Sequence, residues 1–130
     1  MGQLNGSEIL AKALKREGVE ELFFLMGGPM LTAEAATIQE GIRCIDVRHE
    51  QAPAMMAQAY SRLRQKPGFC MAASGPATIK LSTGLANALI DCCPVVALGG
   101  ASPMLGNGKQ VFQEIDQMEI MSGCVKYAAR

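Results

Sequence analysis

The sequence has no tryptophan, a single histidine and only 5% aromatic residues, so its core must be largely aliphatic. It also lacks an excess of charge of either sign, because twelve basic and twelve acidic residues cancel. That removes the electrostatic case for a nucleic acid or an anionic membrane surface as partner. No apolar run reaches the roughly 18 residues that a membrane span needs. The opening Met1-Gly2-Gln3-Leu4-Asn5-Gly6-Ser7 has no basic stretch leading into an apolar one, so no signal peptide is expected. Gly6 stands where myristoylation of Gly2 would want Ser or Thr. C-x-x-C is missing as well. The five cysteines, Cys44, Cys70, Cys92, Cys93 and Cys124, are expected as reduced core thiols of a cytoplasmic protein, with no metal site. The dinucleotide, P-loop and G-x-S-x-G fingerprints do not occur.

What is present is a globular composition, 49% apolar and 18% charged, rich in glycine and methionine. Helical and extended patterns alternate with little linker. Ser7 is expected to cap a helix that runs to about Arg16 and stops at Gly18. Glu21 to Met26 reads as a strand, Thr32 to Gln39 as a helix and Ile42 to Val47 as a second strand. Glu50 to Leu63 reads as a helix rich in Ala and Met, and Phe69 to Ala73 as a third strand. A helix over Thr78 to Ile90, a strand over Val95 to Leu98, a loop over Ala101 to Gln110 and a helix over Glu114 to Ser122 complete the chain. Strands apolar on both sides, separated by helices, predict an α/β fold of three layers: a mostly parallel sheet with helices on both faces. Residues 1–130 read as one domain, without repeat or internal boundary. Such sheets bind ligands beyond the carboxyl ends of their strands. The loops there are Gly27-Gly28-Pro29, His49-Glu50-Gln51, Ser74-Gly75-Pro76 and Gly99-Gly100-Ala101.

Glu50 is the most informative residue on this rim. One reading is an acid stabilised by the dipole of the helix it opens. The other is a carboxyl held among Ala52, Pro53, Ala54, Met55 and Met56, its pKa raised by desolvation so that it can exchange a proton. His49 reads as a structural hydrogen-bonding residue. Ser74-Gly75-Pro76 reads as a plain turn or as backbone N–H groups that receive an anion. Gln113 reads as a ligand contact or a solvated helix start, and Glu114 as a cap or charge partner.

Taken in order, Gly27-Gly28-Pro29, Glu40-Gly41-Ile42-Arg43, Arg48-His49-Glu50-Gln51-Ala52, Gln65-Lys66-Pro67-Gly68, Ser74-Gly75-Pro76, Thr83-Gly84-Leu85-Ala86-Asn87-Ala88, Gly99-Gly100, Phe112-Gln113-Glu114 and Lys126 span nearly the whole chain. In this order they resemble the thiamine-diphosphate enzymes of the acetolactate synthase, oxalyl-CoA decarboxylase and 2-hydroxyacyl-CoA lyase superfamily. The resemblance implies a pyrimidine-binding domain in which the acid matching Glu50 contacts N1′ of the cofactor's aminopyrimidine. Sharing a proton there favours the imino tautomer, whose exocyclic nitrogen can deprotonate the thiazolium carbon. It further implies that Gly27, Gly28, Ser74, Gly75, Pro76 and Asn87 lie against the cofactor, and that Leu25, Phe112 and Gln113 lie near the substrate.

The reaction so implied makes or breaks a carbon–carbon bond next to a carbonyl, in a 2-oxo acid or a 2-hydroxyacyl or oxalyl thioester. The cofactor sits between subunits in this family, so a homodimer or higher homo-oligomer is expected, with the Ala-rich helices after Glu50 and around Ala88 at the interface. Magnesium and the diphosphate belong to a second domain with a G-D-G…N stretch, which does not occur here. The pyrimidine domain is expected to continue past Arg130. The alternative is a non-catalytic module that pairs with a separate diphosphate-binding subunit. Three departures stand out: Ala77 where the family has Gly, Phe24 where it often has Gly, and Lys80 where Asn or His is more usual. The first two are expected to reshape the substrate pocket.

Overall fold

Asn5 begins the first helix. The computed structural model describes residues 3–130; the readings of Met1 and Gly2 fall outside them. Asn5 accepts from the Glu8 backbone N–H at 3.0 Å and donates its own backbone N–H to the Glu8 carboxylate at 2.8 Å, a reciprocal capping box. Helix α1 (Gly6–Arg16) therefore starts two residues earlier than expected, and Ser7 lies inside it with its hydroxyl bonded to Thr32. Strand β1 (Glu21–Phe24), α2 (Leu31–Gln39), β2 (Arg43–Asp46), α3 (Gln51–Arg64), β3 (Gly68–Ala72) and β4 (Val95–Gly99) follow the expected alternation. A short 3-10 turn, Gly28–Met30, precedes α2.

The strands form one parallel sheet in the order β2-β1-β3-β4. Period-two alternation sends successive side chains to opposite faces. Leu22, Phe24 and Met71 pack with Leu14, Val19, Ala33 and Ile42 beneath α1 and α2. Phe23, Cys70 and Ala72 pack with Ala54, Ala57, Leu81, Leu85 and Met121 beneath the remaining helices. The fold is thus the α/β sheet covered on both faces that the sequence predicts. Among the described residues no helix is long and apolar enough to cross a membrane.

Two expected helices differ. The stretch from Thr78 to Ile90 is two helices, α4 (Pro76–Ile79) and α5 (Ser82–Ile90). Pro76 suits a first helical position, so α4 begins early. The Leu81 N–H then bonds Thr78 three residues back, and this tight step lets Leu81 sink fully into the core. The last helix, α6, covers only Gln117–Met121. The Glu114 carboxylate is already used by the Gly108 and Val111 N–H groups, and Asp116 makes the cap. The loop expected over Ala101 to Gln110 includes a 3-10 turn, Met104–Gly106.

The thiols also differ from expectation. All five are free, but only Cys70 is buried; Cys44, Cys93 and Cys124 are half-buried and Cys92 is exposed. Phe24 and Ala77 are buried as well, Phe24 in the core beneath α1 and α2. The bulk expected to reshape the substrate pocket is instead used in packing.

Candidate functional site

The loops leaving β1, β3 and β4 are drawn together by close backbone approach. A Cβ on Gly27 would lie 2.3 Å from the Ala73 Cβ, and one on Gly100 2.9 Å from the Ser74 nitrogen. Gly75 has φ +58°, and a Cβ there would lie 2.1 Å from the Gln113 carbonyl oxygen. Only glycine meets both demands at this position.

Two glutamines then lock the turn. Ser74, almost wholly buried, donates its hydroxyl to Gln113 Oε1 at 3.0 Å. The Gly75 N–H donates to Gln117 Oε1 at 2.9 Å, and Gln117 Nε2 donates to the Gly100 carbonyl at 2.8 Å. Of the N–H groups of Ser74-Gly75-Pro76 that could receive an anion, that of Gly75 is engaged by Gln117. Proline has no N–H to offer, and α4 is four residues long. A recess of about 490 Å³ beside this cluster is lined by Gly99, Ser102, Gln113 and Gln117 among others. Gln117 is a residue that sequence reasoning missed, since nothing local distinguishes it from a solvated helix residue.

Glu50 sits at the start of α3 without capping it. Its side chain is 17% exposed, and Lys80 Nζ donates to Oε2 at 3.1 Å. Desolvation pushes the carboxyl up. Its own backbone N–H, Lys80 and the neighbouring His49 push it down and prevail, so it lies below the usual carboxylate range. The expected upward shift is therefore corrected: the apolar residues after Glu50 do withhold solvent, but Lys80 supplies the counter-charge. His49 has the structural part expected of it, its Nδ1 accepting the Gln51 N–H at 3.2 Å.

The geometry behind this pair is set by α3 and α5. A Cβ on Gly84 would lie 2.6 Å from the Ala54 Cβ and 2.9 Å from the Met55 nitrogen, so the helices nearly touch there. Four residues before Ala54 and Gly84 stand Glu50, at the start of α3, and Lys80, which closes α4 just ahead of α5. One turn further along, Asn87 Nδ2 donates to Gln58 Oε1 at 2.9 Å, Gln58 Nε2 donates to Asp91 at 2.8 Å, and Arg62 pairs with Asp91 at 3.2 Å. The positions 50, 54, 58 and 62 form one stripe at four-residue spacing. Asn87, expected against the cofactor, is held in this ladder between the helices.

Of the remaining expected site residues, Leu25 is half-buried, with its N–H on the Met71 carbonyl, and Gly28 is exposed. Phe112 is 83% exposed. Gln113 adopts φ +59° where the chain turns beneath Gly75. Glu114 is the cap of the loop before it; the Gly108 N–H foremost, then Val111, Gln110 and Lys109, hold its carboxyl below the ordinary range. The structure thus joins Gly27, Ser74, Gly75, Gly100, Gln113 and Gln117 into one cluster and pairs Glu50 with Lys80. Among the described residues no three of His, Cys, Asp and Glu come together as a metal cluster.

The chain matches the family described as thiamine pyrophosphate enzyme, N-terminal TPP binding domain, over residues 4–120. It is 37% identical to human 2-hydroxyacyl-CoA lyase 1 over 128 residues, 98% of this chain and 22% of that protein. It is 40% identical to the chloroplastic acetolactate synthase of Arabidopsis thaliana over 123 residues, 94% of this chain and 18% of that protein. It is 38% identical to the acetolactate synthase isozyme 2 large subunit of Escherichia coli over 127 residues, 96% of this chain and 23% of that protein. The chain spans about a fifth of the length of these relatives. With Glu50 opening α3 on the carboxyl-end rim of a parallel sheet and the match covering nearly every element, the chain belongs to the family of N-terminal, cofactor-binding domains of thiamine pyrophosphate enzymes.

Proposed function

We propose that this chain provides the pyrimidine-binding half of a thiamine-diphosphate site, in an enzyme that forms or cleaves a carbon–carbon bond next to a carbonyl. The substrate is a 2-oxo acid or a 2-hydroxyacyl or oxalyl thioester. The observation that carries this reading is Glu50, a mostly buried carboxyl on the rim, engaged among the described residues by one side-chain donor, Lys80. An acid so placed suits a ring nitrogen that must share a proton. The donor set suits the pyrimidine better than the diphosphate: in the Ser-Gly-Pro turn the Gly75 N–H is held by Gln117 and Pro76 has none. Magnesium and the diphosphate are accordingly assigned to a part of the enzyme outside this chain, with a second subunit completing the site.

When bound, thiamine diphosphate supplies an acidic thiazolium carbon and an electron sink for the carbanion next to the carbonyl. The chain's own contribution is narrower. Glu50 holds and returns one proton at the pyrimidine N1′, the buried start of α3 keeps water from that carboxyl, and the glutamine-locked turn keeps the rim rigid.

Glu50→Gln keeps the size of the side chain and removes the exchangeable proton. In the full-length enzyme, hydrogen–deuterium exchange at the thiazolium carbon is expected to slow by about 10²–10⁴-fold. Stability is expected to change by less than about 1 kcal/mol, since only a partly exposed ion pair is lost. An unchanged exchange rate would remove Glu50 from this role.

A further inference from the structure

We propose that Lys80 is a positioning residue that occupies the Glu50 carboxylate and keeps it ionised until the aminopyrimidine of thiamine diphosphate takes its place. The inference rests on the reading of Glu50 above and adds to it a competitor within the chain. Three observations carry it. The contact is direct, Nζ to Oε2 at 3.1 Å. The two partners are unlike in their surroundings: the Glu50 side chain is 17% exposed and that of Lys80 48% exposed, so the lysine can withdraw into solvent while the carboxyl stays in place. And the pair is brought together where α3 and α5 approach closely, Glu50 and Lys80 each standing four residues before the Gly84–Ala54 contact.

Among the described residues no other side chain donates to the Glu50 carboxylate. Of the elements packed on α3, α5 and β4 carry no titratable side chain, and β3 has only the core thiol Cys70. In β1 the only one is Glu21, at the far end of the strand and paired with Arg43. His49 is adjacent and adds to the positive side.

The proton balance follows. Before binding, Glu50 is a carboxylate and Lys80 an ammonium. For Glu50 to offer a proton to the ring nitrogen, one proton must be added to the carboxylate as the ring enters. Lys80 keeps its own three hydrogens when it leaves, so that proton comes from solvent. Binding is therefore coupled to uptake of one proton per site and to the loss of one ion pair.

Calorimetry on the full-length protein with magnesium tests this. Thiamine diphosphate is titrated from about pH 6 to about pH 8, spanning the range above ordinary carboxyl values. Buffers of different ionisation enthalpy give the proton count. Lys80→Met removes the competing charge and leaves the desolvated carboxyl readier to hold a proton. It is expected to bind about three- to fivefold tighter, the worth of a half-exposed ion pair, and to take up fewer protons at the acid end. Lys80→Arg keeps the charge and is expected to behave as wild type. In the E50Q background the Lys80→Met effect should vanish.

Equal tightening with and without Glu50 would make Lys80 a structural residue and overturn the proposal. So would a Lys80→Met protein that matches wild type in affinity and proton uptake while E50Q loses both, an outcome that leaves the Glu50 reading intact. An E50Q protein with wild-type affinity and uptake would overturn both.

Discussion

Two acids of this chain, Glu34 and Glu50, are both largely buried yet lie on opposite sides of the ordinary carboxyl range. Glu50 has Lys80 and is held low. Glu34, on α2 and facing β2, has a buried Oε2 with no hydrogen-bond partner. Desolvation pushes it up, and Asp46 nearby adds repulsion. The same environment raises the neighbouring Cys44 thiol to about 11, chiefly by burial and then by Glu34. The consequence for stability has a definite sign. A carboxyl whose folded value is raised stabilises the fold fully below its unfolded value, and that contribution is lost as pH rises through the folded value. At neutral pH Glu34 is therefore a net cost. Glu34→Gln is expected to stabilise the protein by on the order of 1 kcal/mol at pH 7 and to be neutral near pH 4, below the unfolded carboxyl value. Urea unfolding at the two pH values checks this; the same difference at both would mean that its charge is not what the site resists.

At the scale of elements, the meeting of α3 with α5 does most to place the candidate site. Gly84 lets the two helices approach until a Cβ would overlap Ala54 and the Met55 backbone. Gly84→Ala is expected to push α5 outward and to cost about 1–3 kcal/mol, as overpacking of a close contact does. It should also misalign Lys80 from Glu50. Equilibrium unfolding gives the first effect, and proton uptake on thiamine diphosphate binding gives the second; an unaltered midpoint would mean that the contact has room to yield. The strands were legible in the sequence because Leu22, Phe23, Cys70 and Met71 are apolar on consecutive positions, which only a sheet covered on both faces requires. Helix ends were less so. Asn5 and Ser7 are both good caps, and the choice fell to Asn5 because Glu8 stands three residues on to close the box. The break between α4 and α5 follows from Leu81 reaching the core, a tertiary demand without a local signature. Within the site, Glu50 stood out by its place on the rim, and Lys80 by its departure from the family pattern. That the two touch depends on helix packing some 30 positions apart in the chain, and the bond from Asn87 to Gln58 depends on the same packing.

For the molecule as a whole, the sheet has two unlike edges. Beside β2, Arg43 pairs with Glu21 and Arg48 with Asp46, a row of charges that discourages another strand. Beside β4 there is no charge within Val95–Gly99, and among the described residues no strand pairs on its outer side. A groove of about 790 Å³ runs there, lined by Leu85, Leu89, Val95, Val96 and Val125 among others, and Ile90 nearby is 79% exposed. The small residues expected at a subunit interface are not all available for one. Ala54, Ala57 and Ala88 are buried within this chain, so a charge at Ala57 or Ala88 would unfold it rather than report on assembly. Val96, 42% exposed on the unguarded strand, is the better probe. The chain alone is expected to self-associate at tens of micromolar through this apolar side, a second copy covering what no charge protects. Val96→Lys places a charge where natural edge strands carry one, and it should shift sedimentation towards the monomer with helix and strand content unchanged. A wild-type chain that sediments as a clean monomer, or a V96K chain that associates as strongly as its parent, would place the contact between copies elsewhere than on β4.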